Sequence, residues 1–116
     1  MKNKTILLIL LAFTLAGCEP KSVGSSLSGY KEIPGAIIQP QKAVELAGPY
    51  LDKTFELRQQ DSDLTRRKDI EPIIHVTLKN NEYYIVKDNY PDKSVYFYLK
   101  HAVKVNIKTG NVIPPQ

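Results

Sequence analysis

The apolar residues of the chain change their spacing along its length, and each spacing predicts a different structure. An apolar run, interrupted by a single threonine, covers residues 6–15. From Pro40 onward, apolar side chains recur every three or four positions, which is the spacing of one face of a helix. After Pro72, apolar and polar residues alternate, as in half-buried strands. We therefore expect a short apolar leader, then a helix, and then a sheet.

The predicted helix begins at Pro40, because proline has no N–H and suits the first turn of a helix. Its apolar stripe consists of Ala43, Val44, Ala47, Tyr50 and Leu51. Gly48-Pro49 lies inside this stripe, and an interior proline removes a hydrogen bond and clashes with the preceding turn. We expect a kink or break there. Residues 58–71 carry eight charges and are predicted to form a solvated loop.

Turn residues divide the second half of the chain into strands. The strands are expected at residues 74–78, 82–88, 95–107 and 112–113. Asn80-Asn81 suits a tight hairpin turn, since asparagine tolerates positive φ. The third strand is long, so we expect a bulge or bend near Lys100-His101. The simplest arrangement is a two-layer α+β fold, with one N-terminal helix packed on an antiparallel meander of three to four strands.

Cys18, the only cysteine, ends the sequence Leu15-Ala16-Gly17-Cys18 directly after the apolar run. Lysines at positions 2 and 4 precede that run, as in the n-region of a signal peptide. The run is shorter than the roughly 20 residues that a transmembrane helix needs. These features resemble the lipobox of bacterial lipoproteins; an ordinary cleaved signal or a buried helix is the alternative. The resemblance implies cleavage between Gly17 and Cys18, a diacylglyceryl group on the Cys18 thiol, and acylation of the new amino group, for example with palmitate.

The expected organisation is a signal peptide over residues 1–17, a lipidated tether over 18–36, and a small α+β domain over 37–116. Residues 19–29 are rich in serine and glycine, which is typical of a flexible linker. Lipoproteins retained in the inner membrane commonly carry aspartate directly after the lipidated cysteine, whereas this chain has Glu19. The resemblance therefore favours a cell-envelope protein on the outer membrane, facing the periplasm of a Gram-negative cell.

The charge of the chain argues against a nucleic-acid partner. The formal net charge is +4, and it falls to +2 when Lys2 and Lys4 leave with the signal peptide. A nucleic-acid-binding protein is expected to have a concentrated basic face. With Cys18 lipidated, the domain has no disulfide, so its core alone must stabilise it.

Three segments of the chain resemble known domain families. They are Gln41-Lys42-Ala43-Val44-Glu45-Leu46-Ala47, residues 82–86 and residues 103–113. The resemblance covers about residues 37–113. The three segments are similar to the PepSY domain, in which an alanine-rich helix packs on a three-stranded sheet whose last turn contains Thr-Gly. The chain is almost equally similar to immunity-protein families with a cystatin-like or nuclear-transport-factor-like cone. That similarity rests on Pro49-Tyr50-Leu51 at the helix end, on the hairpin sequence Val76-Thr77-Leu78-Lys79-Asn80-Asn81 and on Gly110-Asn111-Val112 at the close. Either resemblance implies a non-catalytic domain that binds or inhibits proteins or serves as an accessory module. The charged segment 58–71 and the sequence Tyr90-Pro91-Asp92-Lys93 depart from both families.

The candidates for catalysis or metal binding are few. His75 and His101 are the only histidines, and no second histidine or cysteine stands at metal-ligand spacing from either. Asp61 and Asp63 resemble the start of a calcium loop, but the glycine and glutamate that complete such a loop are missing. We expect no enzyme activity, no metal ion and no cofactor.

Tyrosines are concentrated around one predicted hairpin, and we expect some of them to form a protein-binding surface. They are Tyr83, Tyr84, Tyr90, Tyr96 and Tyr98. Neighbours on a strand point to opposite faces, so Tyr83 and Tyr84 cannot both enter the core. Tyrosine is common in recognition surfaces, although cross-strand aromatic pairing is the alternative explanation.

The preferred hypothesis is therefore a membrane-anchored lipoprotein whose small domain binds a protein partner, as an inhibitor or immunity protein would. One alternative is a metal-dependent enzyme or enzyme accessory that uses His75, His101 and the acidic loop. Another is a structural envelope lipoprotein. The enzyme hypothesis requires both histidines to lie together with Asp61 or Asp63.

Overall fold

The computed structural model describes residues 19–62, 64, 70–89 and 94–116. The predicted signal peptide, Cys18, Asp63 and Tyr90 lie outside these residues. Within them the chain forms two layers, with a helical segment packed on one face of a six-stranded antiparallel sheet. The predicted α+β class is confirmed. No helix in this part of the chain has both the length and the apolar character to cross a bilayer.

The helical segment consists of α1 (Pro40–Ala47), a 3-10 turn (Gly48–Tyr50) and α2 (Leu51–Gln60). Pro40 lies in the first turn of α1, as predicted. The break at Gly48-Pro49 is also confirmed, since a proline inside a helix cannot donate the backbone hydrogen bond of its turn. The helix continues to Gln60, however. The predicted start of the loop at residue 58 is therefore three residues too early.

The strands are β1 (Lys21–Ser25), β2 (Gly29–Tyr30), β3 (Ile73–Lys79), β4 (Glu82–Asp88), β5 (Val103–Asn106) and β6 (Val112–Ile113). Their order in the sheet is β2-β1-β3-β4-β5-β6, and all neighbours are antiparallel. The predicted short last strand is confirmed as β6. The predicted count of three to four strands is wrong, because the described residues form six.

The two additional strands come from the segment predicted to be a flexible linker. β1 pairs with β3, with Lys21 opposite Leu78 and Ser25 opposite His75. Val23 is buried in the core, while Gly24 has a φ of 137° at an irregularity in the β1–β3 register. The linker prediction for residues 19–29 is therefore wrong. Here the glycine and serine residues form a bulge and a tight turn. The same composition is typical of a flexible linker, so composition alone does not distinguish the two.

Two predicted turns are confirmed by positive φ angles. Asn80 and Asn81 connect β3 to β4 with φ angles of 50° and 66°. His101 has a φ of 61° and ends the segment before β5, at the predicted bend. The strand predicted on the N-terminal side of this bend is wrong, because residues Val95–Leu99 form a 3-10 helix, here called the 3-10 segment.

Both faces of the central strand β4 are covered. The main core lies between the sheet and the helices, and it contains Val23, Ala43, Ala47, Leu51, Val76, Tyr83, Ile85, Val103, Val105 and Ile107. A smaller core on the opposite face, here called the outer face, contains Val86, Tyr98 and Ala102 with Tyr84 and Phe97 packed against them. The 3-10 segment therefore covers part of the face that a two-layer fold would leave to solvent.

Candidate functional site

The outer face of the sheet contains a cavity of about 560 Å³. It lies between the β1–β2 hairpin and the 3-10 segment, and β3 crosses it. Three outward-facing side chains contribute to its lining: Ser22 of β1, and His75 and Thr77 of β3. They share one face because Ser22 pairs with Thr77, and residues two apart on a strand point the same way. Thr77 is only 1% exposed, and the same face of β3 adds the apolar Ile73 to the lining of this outer-face cavity.

The walls of the cavity are less polar. Leu27 of the hairpin and Val95 and Tyr98 of the 3-10 segment contribute to them. Leu27 is 79% exposed, so its side chain is accessible from solvent. Its turn is ordered by Ser25, whose Oγ accepts hydrogen bonds from the backbone N–H groups of Leu27 and Ser28, each at 3.3 Å. The hairpin therefore presents Leu27 at the edge of the cavity in a defined position.

His75 and Tyr98 form an aromatic pair inside the site. Their ring centroids are 4.1 Å apart and their planes differ by 21°, which is a stacked arrangement. Tyr98 also meets Phe97 edge to face, with centroids 5.4 Å apart. His75 has the outward strand parity that the sequence predicts, but Tyr98 covers its ring. The pair joins β3 to the 3-10 segment across the cavity.

A buried ion pair between Arg58 of α2 and Asp88 of β4 lies at one end of the cavity, where Asp88 contributes to the lining. Arg58 Nε donates to Asp88 Oδ2, and the two side chains are 0% and 4% exposed. Arg58 Nη1 donates to the backbone carbonyls of Phe97, at 3.1 Å, and Lys100, at 2.7 Å. The guanidinium carbon is 4.6 Å from the centre of the Phe97 ring. Arg58 therefore attaches the 3-10 segment to the end of the sheet.

This role of Arg58 was not predicted, because its charge placed it in the expected solvated loop. A signal was nevertheless present in the sequence. Leu51, Thr54 and Arg58 follow helical spacing, and all three are buried on one face of α2. The apolar stripe of the helix thus continues through a threonine and an arginine, which hydrophobicity alone does not detect.

The histidines lie in different environments. His101 Nε2 is 2.7 Å from Asp61 Oδ2, and Lys100 Nζ is also 2.7 Å from that oxygen. The other ring nitrogen of His101 is 2.7 Å from the backbone oxygen of Gln116. His75 instead stacks on Tyr98. Within residues 19–62, 64, 70–89 and 94–116, no three His, Cys, Asp or Glu side chains are placed to hold a metal ion.

The tyrosines do not share one surface. Tyr83 is buried in the main core, where its hydroxyl donates to the Ile38 carbonyl at 2.7 Å, so it cannot contact a partner. Burial raises the pKa of Tyr83 to about 12. Tyr84 is half-buried on the outer face, with Lys104 Nζ 5.3 Å from its ring centre. Tyr98 is buried beside the cavity, and Tyr96 is 60% exposed. Only Tyr84 and Tyr96 of the described four are open to solvent.

Comparisons of the chain with protein-family models, with curated proteins and with solved structures returned no significant match. The geometry of the site is therefore the basis for its interpretation.

Proposed function

We propose that the protein is a lipid-anchored protein of the bacterial cell envelope whose domain binds a protein partner at the outer-face cavity. The anchor in this proposal is Cys18, exposed as the new N-terminus when the signal peptide is cleaved after Gly17. The sequence Leu15-Ala16-Gly17-Cys18 behind a short apolar run supports it. Two acyl chains hold a protein firmly to a bilayer, whereas one does so only marginally. Glu19 supports placement on the outer membrane.

The observation that carries the binding function is the cavity itself. Its volume of about 560 Å³ lies within the range of roughly 300–1,000 Å³ that is common for ligand sites. Its lining combines the hydroxyl group of the exposed Ser22 with the apolar side chains of Leu27 and Val95. Such a mixture suits a partner that inserts an apolar side chain and pairs its backbone polar groups with the cavity. Leu27 would be the first apolar contact of that partner.

The resemblance to the PepSY and cystatin-like immunity families supports the same function. Domains of both kinds act by binding or inhibiting proteins, or as accessory modules. The six-stranded sheet departs from the three-stranded PepSY pattern. The cavity is therefore the main support for the binding function, and the family resemblance supports a non-catalytic role.

The contact between His101 and Asp61 favours a second candidate, an enzyme with His101 as general base. Both ring nitrogens of His101 are engaged, one by Asp61 and one by the backbone of Gln116. A general base needs a ring nitrogen within reach of the substrate proton. Asp61 also forms an ion pair with the ammonium group of Lys100, so its carboxylate interacts with two basic side chains. Binding is the better-supported function.

The test is recovery of the partner from detergent-solubilised membranes with purified, tagged protein as bait. Leu27→Asp places a charge at the edge of the cavity and should lower recovery by about tenfold or more, which corresponds to about 1.4 kcal/mol. Ile37→Asp is the matched control, because Ile37 is 74% exposed and lies away from the cavity lining. Equal recovery by both variants would overturn the assignment of the cavity. Absence of any partner for the unaltered protein would favour a structural envelope lipoprotein.

A further inference from the structure

The proposed lipid anchor joins the folded domain at one defined end of the sheet. Cys18 stands three positions before Lys21, the first residue of β1. A chain extends at most about 3.5 Å per residue, so the Cα atoms of Cys18 and Lys21 are separated by no more than roughly 11 Å. Pro20 is already buried, which leaves only Glu19 as an exposed spacer between them. The anchor therefore cannot act as a long flexible tether.

The register of the sheet identifies what lies at this end. Lys21 is opposite Leu78, next to the Asn80-Asn81 turn. The Asn81 carbonyl accepts a hydrogen bond from Ile107 N–H at 2.9 Å, so the turn that follows β5 lies at the same end. We name this region, formed by residues 19–21, 79–82 and 107–110, the anchor end.

The exposed side chains of the anchor end are polar, whereas Pro20 and Ile107 are buried. It carries the lysines Lys21, Lys79 and Lys108, of which Lys21 and Lys108 are exposed, together with Glu19 and Glu82. Lysine and asparagine side chains hydrogen-bond to phosphate groups, and lysines near an anionic bilayer are attracted to it. The composition of this end is compatible with contact to lipid headgroups.

The opposite end of the sheet carries the tip of the β1–β2 hairpin. Ser26 N–H donates to the Ile74 carbonyl at 2.9 Å, so residues 26–28 lie beside the start of β3. β3 has seven residues, which corresponds to about 20 Å at the usual rise of a strand. The two ends are therefore separated by the length of β3.

The geometry points to a fixed orientation of the domain on the membrane. The anchor end rests among the phospholipid headgroups, and the hairpin tip with Leu27 faces away from the bilayer. This inference rests on the lipid anchor of the proposed function and adds the surface that contacts the membrane. It also explains how a domain with a short spacer could expose one edge of its cavity to a partner in the periplasm.

The experiment uses introduced cysteines, because the thiol of Cys18, the only cysteine, is blocked once it carries the diacylglyceryl group. The mature lipoprotein carries either Lys108→Cys or Leu27→Cys, two exposed positions at opposite ends, each labelled with a thiol-reactive fluorophore. Each protein is placed in vesicles of phosphatidylethanolamine and phosphatidylglycerol, with and without a lipid that carries a spin-label quencher on its headgroup. The emission of the Lys108→Cys label should fall roughly twofold or more, and that of the Leu27→Cys label should change little, since the hairpin tip and the anchor end lie at opposite ends of β3, a strand about 20 Å long.

Equal quenching of the two labels, or stronger quenching at position 27, would overturn the orientation. Failure of the proposed anchor gives a different result. In that case the protein stays in the supernatant when the vesicles are sedimented, and a Cys18→Ser variant behaves like the unaltered protein. If the protein binds the vesicles but both labels are equally quenched, the proposed lipid anchor stands and only the proposed orientation is wrong.

Discussion

Arg58 and Asp88, 30 residues apart in the sequence, form a buried ion pair that joins α2 to the end of β4. Removing two charges from water is costly, and additional hydrogen bonds to the charged groups offset part of that cost. Arg58 Nη1 donates to two backbone carbonyls, and the second oxygen of Asp88 accepts from the Asn89 N–H at 2.7 Å. Arg58 Nη2 has no acceptor among the described residues. The pair thus connects the helix layer, the sheet and the 3-10 segment that borders the cavity.

Removing one member of this pair should strongly destabilise the fold. Arg58→Met leaves Asp88 as an uncompensated buried charge, and we expect the free energy of unfolding to fall by about 3–5 kcal/mol. The measurement is chemical denaturation of the signal-free domain followed by circular dichroism. The double variant Arg58→Met, Asp88→Leu should be more stable than the sum of the single changes implies, since it leaves no unpaired charge.

A surface ion pair provides the control. Lys53 and Glu56 form an exposed pair at 3.2 Å, and Lys53→Ala should change the free energy of unfolding by no more than about 0.5 kcal/mol. If Arg58→Met were as mild as Lys53→Ala, the buried pair would not stabilise the 3-10 segment as described.

Substitution of Gly24 tests whether residues 21–30 belong to the sheet. A Cβ added at Gly24 would lie 2.0 Å from the Gly29 backbone oxygen, and Gly24 has a φ of 137°. Gly24→Ala should therefore separate β1 from β2 and lower the free energy of unfolding by about 2 kcal/mol or more. Denaturation and limited proteolysis at residues 24–30 measure the two effects.

Gly35→Ala is the control for Gly24→Ala, because it measures the cost of placing alanine at a positive φ without a clash between the added Cβ and the backbone. Gly35 has a φ of 83°, but an added Cβ would meet no atom within 4 Å. Its replacement should cost only about 1 kcal/mol, and it should leave the hairpin resistant to protease. A Gly24→Ala variant as stable as the unaltered protein would instead support the linker that the composition predicts.

Alkaline pH should unfold the domain in part through Tyr83. Burial raises the pKa of Tyr83 from its usual value of 10.0 to about 12 in the folded protein. The unfolded chain therefore loses this proton first as the pH rises. The stabilisation is fully present below pH 10 and is lost as the pH approaches 12, by up to roughly 3 kcal/mol. Burial raises the pKa of Tyr30 as well, so its contribution has the same sign.

Tyr83→Phe isolates this contribution. The variant lacks the hydroxyl that donates to Ile38, so at pH 7 it should be less stable by about 1 kcal/mol. Between pH 10 and 12 it should lose less stability than the unaltered protein, because it has no phenol to ionise at this position. Denaturation midpoints across that pH range provide the measurement, and parallel curves for the two proteins would contradict the assignment to Tyr83.

Local signals allowed several elements to be predicted from the sequence. Pro40 and Gly48-Pro49 act through backbone rules within one or two turns, and the positive φ of Asn80 and Asn81 is a property of a two-residue connection. The alternation after Pro72 predicted β3 and β4 for the same reason. The residues that decide such features are close neighbours in the chain, so tertiary context was not needed.

Long-range contacts could not be predicted in this way. The sequence predicts a linker in place of β1, because the partners that stabilise this strand lie in β3, in β2 and in the main core, while its own composition is rich in glycine and serine. The 3-10 segment was interpreted as a strand, because its residues have high strand propensity, while its position is decided by Arg58 and by packing on the outer face. Such propensity is weak relative to tertiary packing.

Local signals in the sequence are sufficient for the α+β class, the helix with its break, the central hairpin and the last short strand, and the lipoprotein-like segment that ends at Cys18 is seen in the sequence alone. The place of β1 in the sheet, the pairing of Arg58 with Asp88, and the position of His75 and Tyr98 beside a cavity depend on the tertiary structure. The difference lies in separation along the chain. Turns and helix ends depend on backbone geometry within a few residues, whereas buried pairs and cavities depend on which distant segments the core brings together.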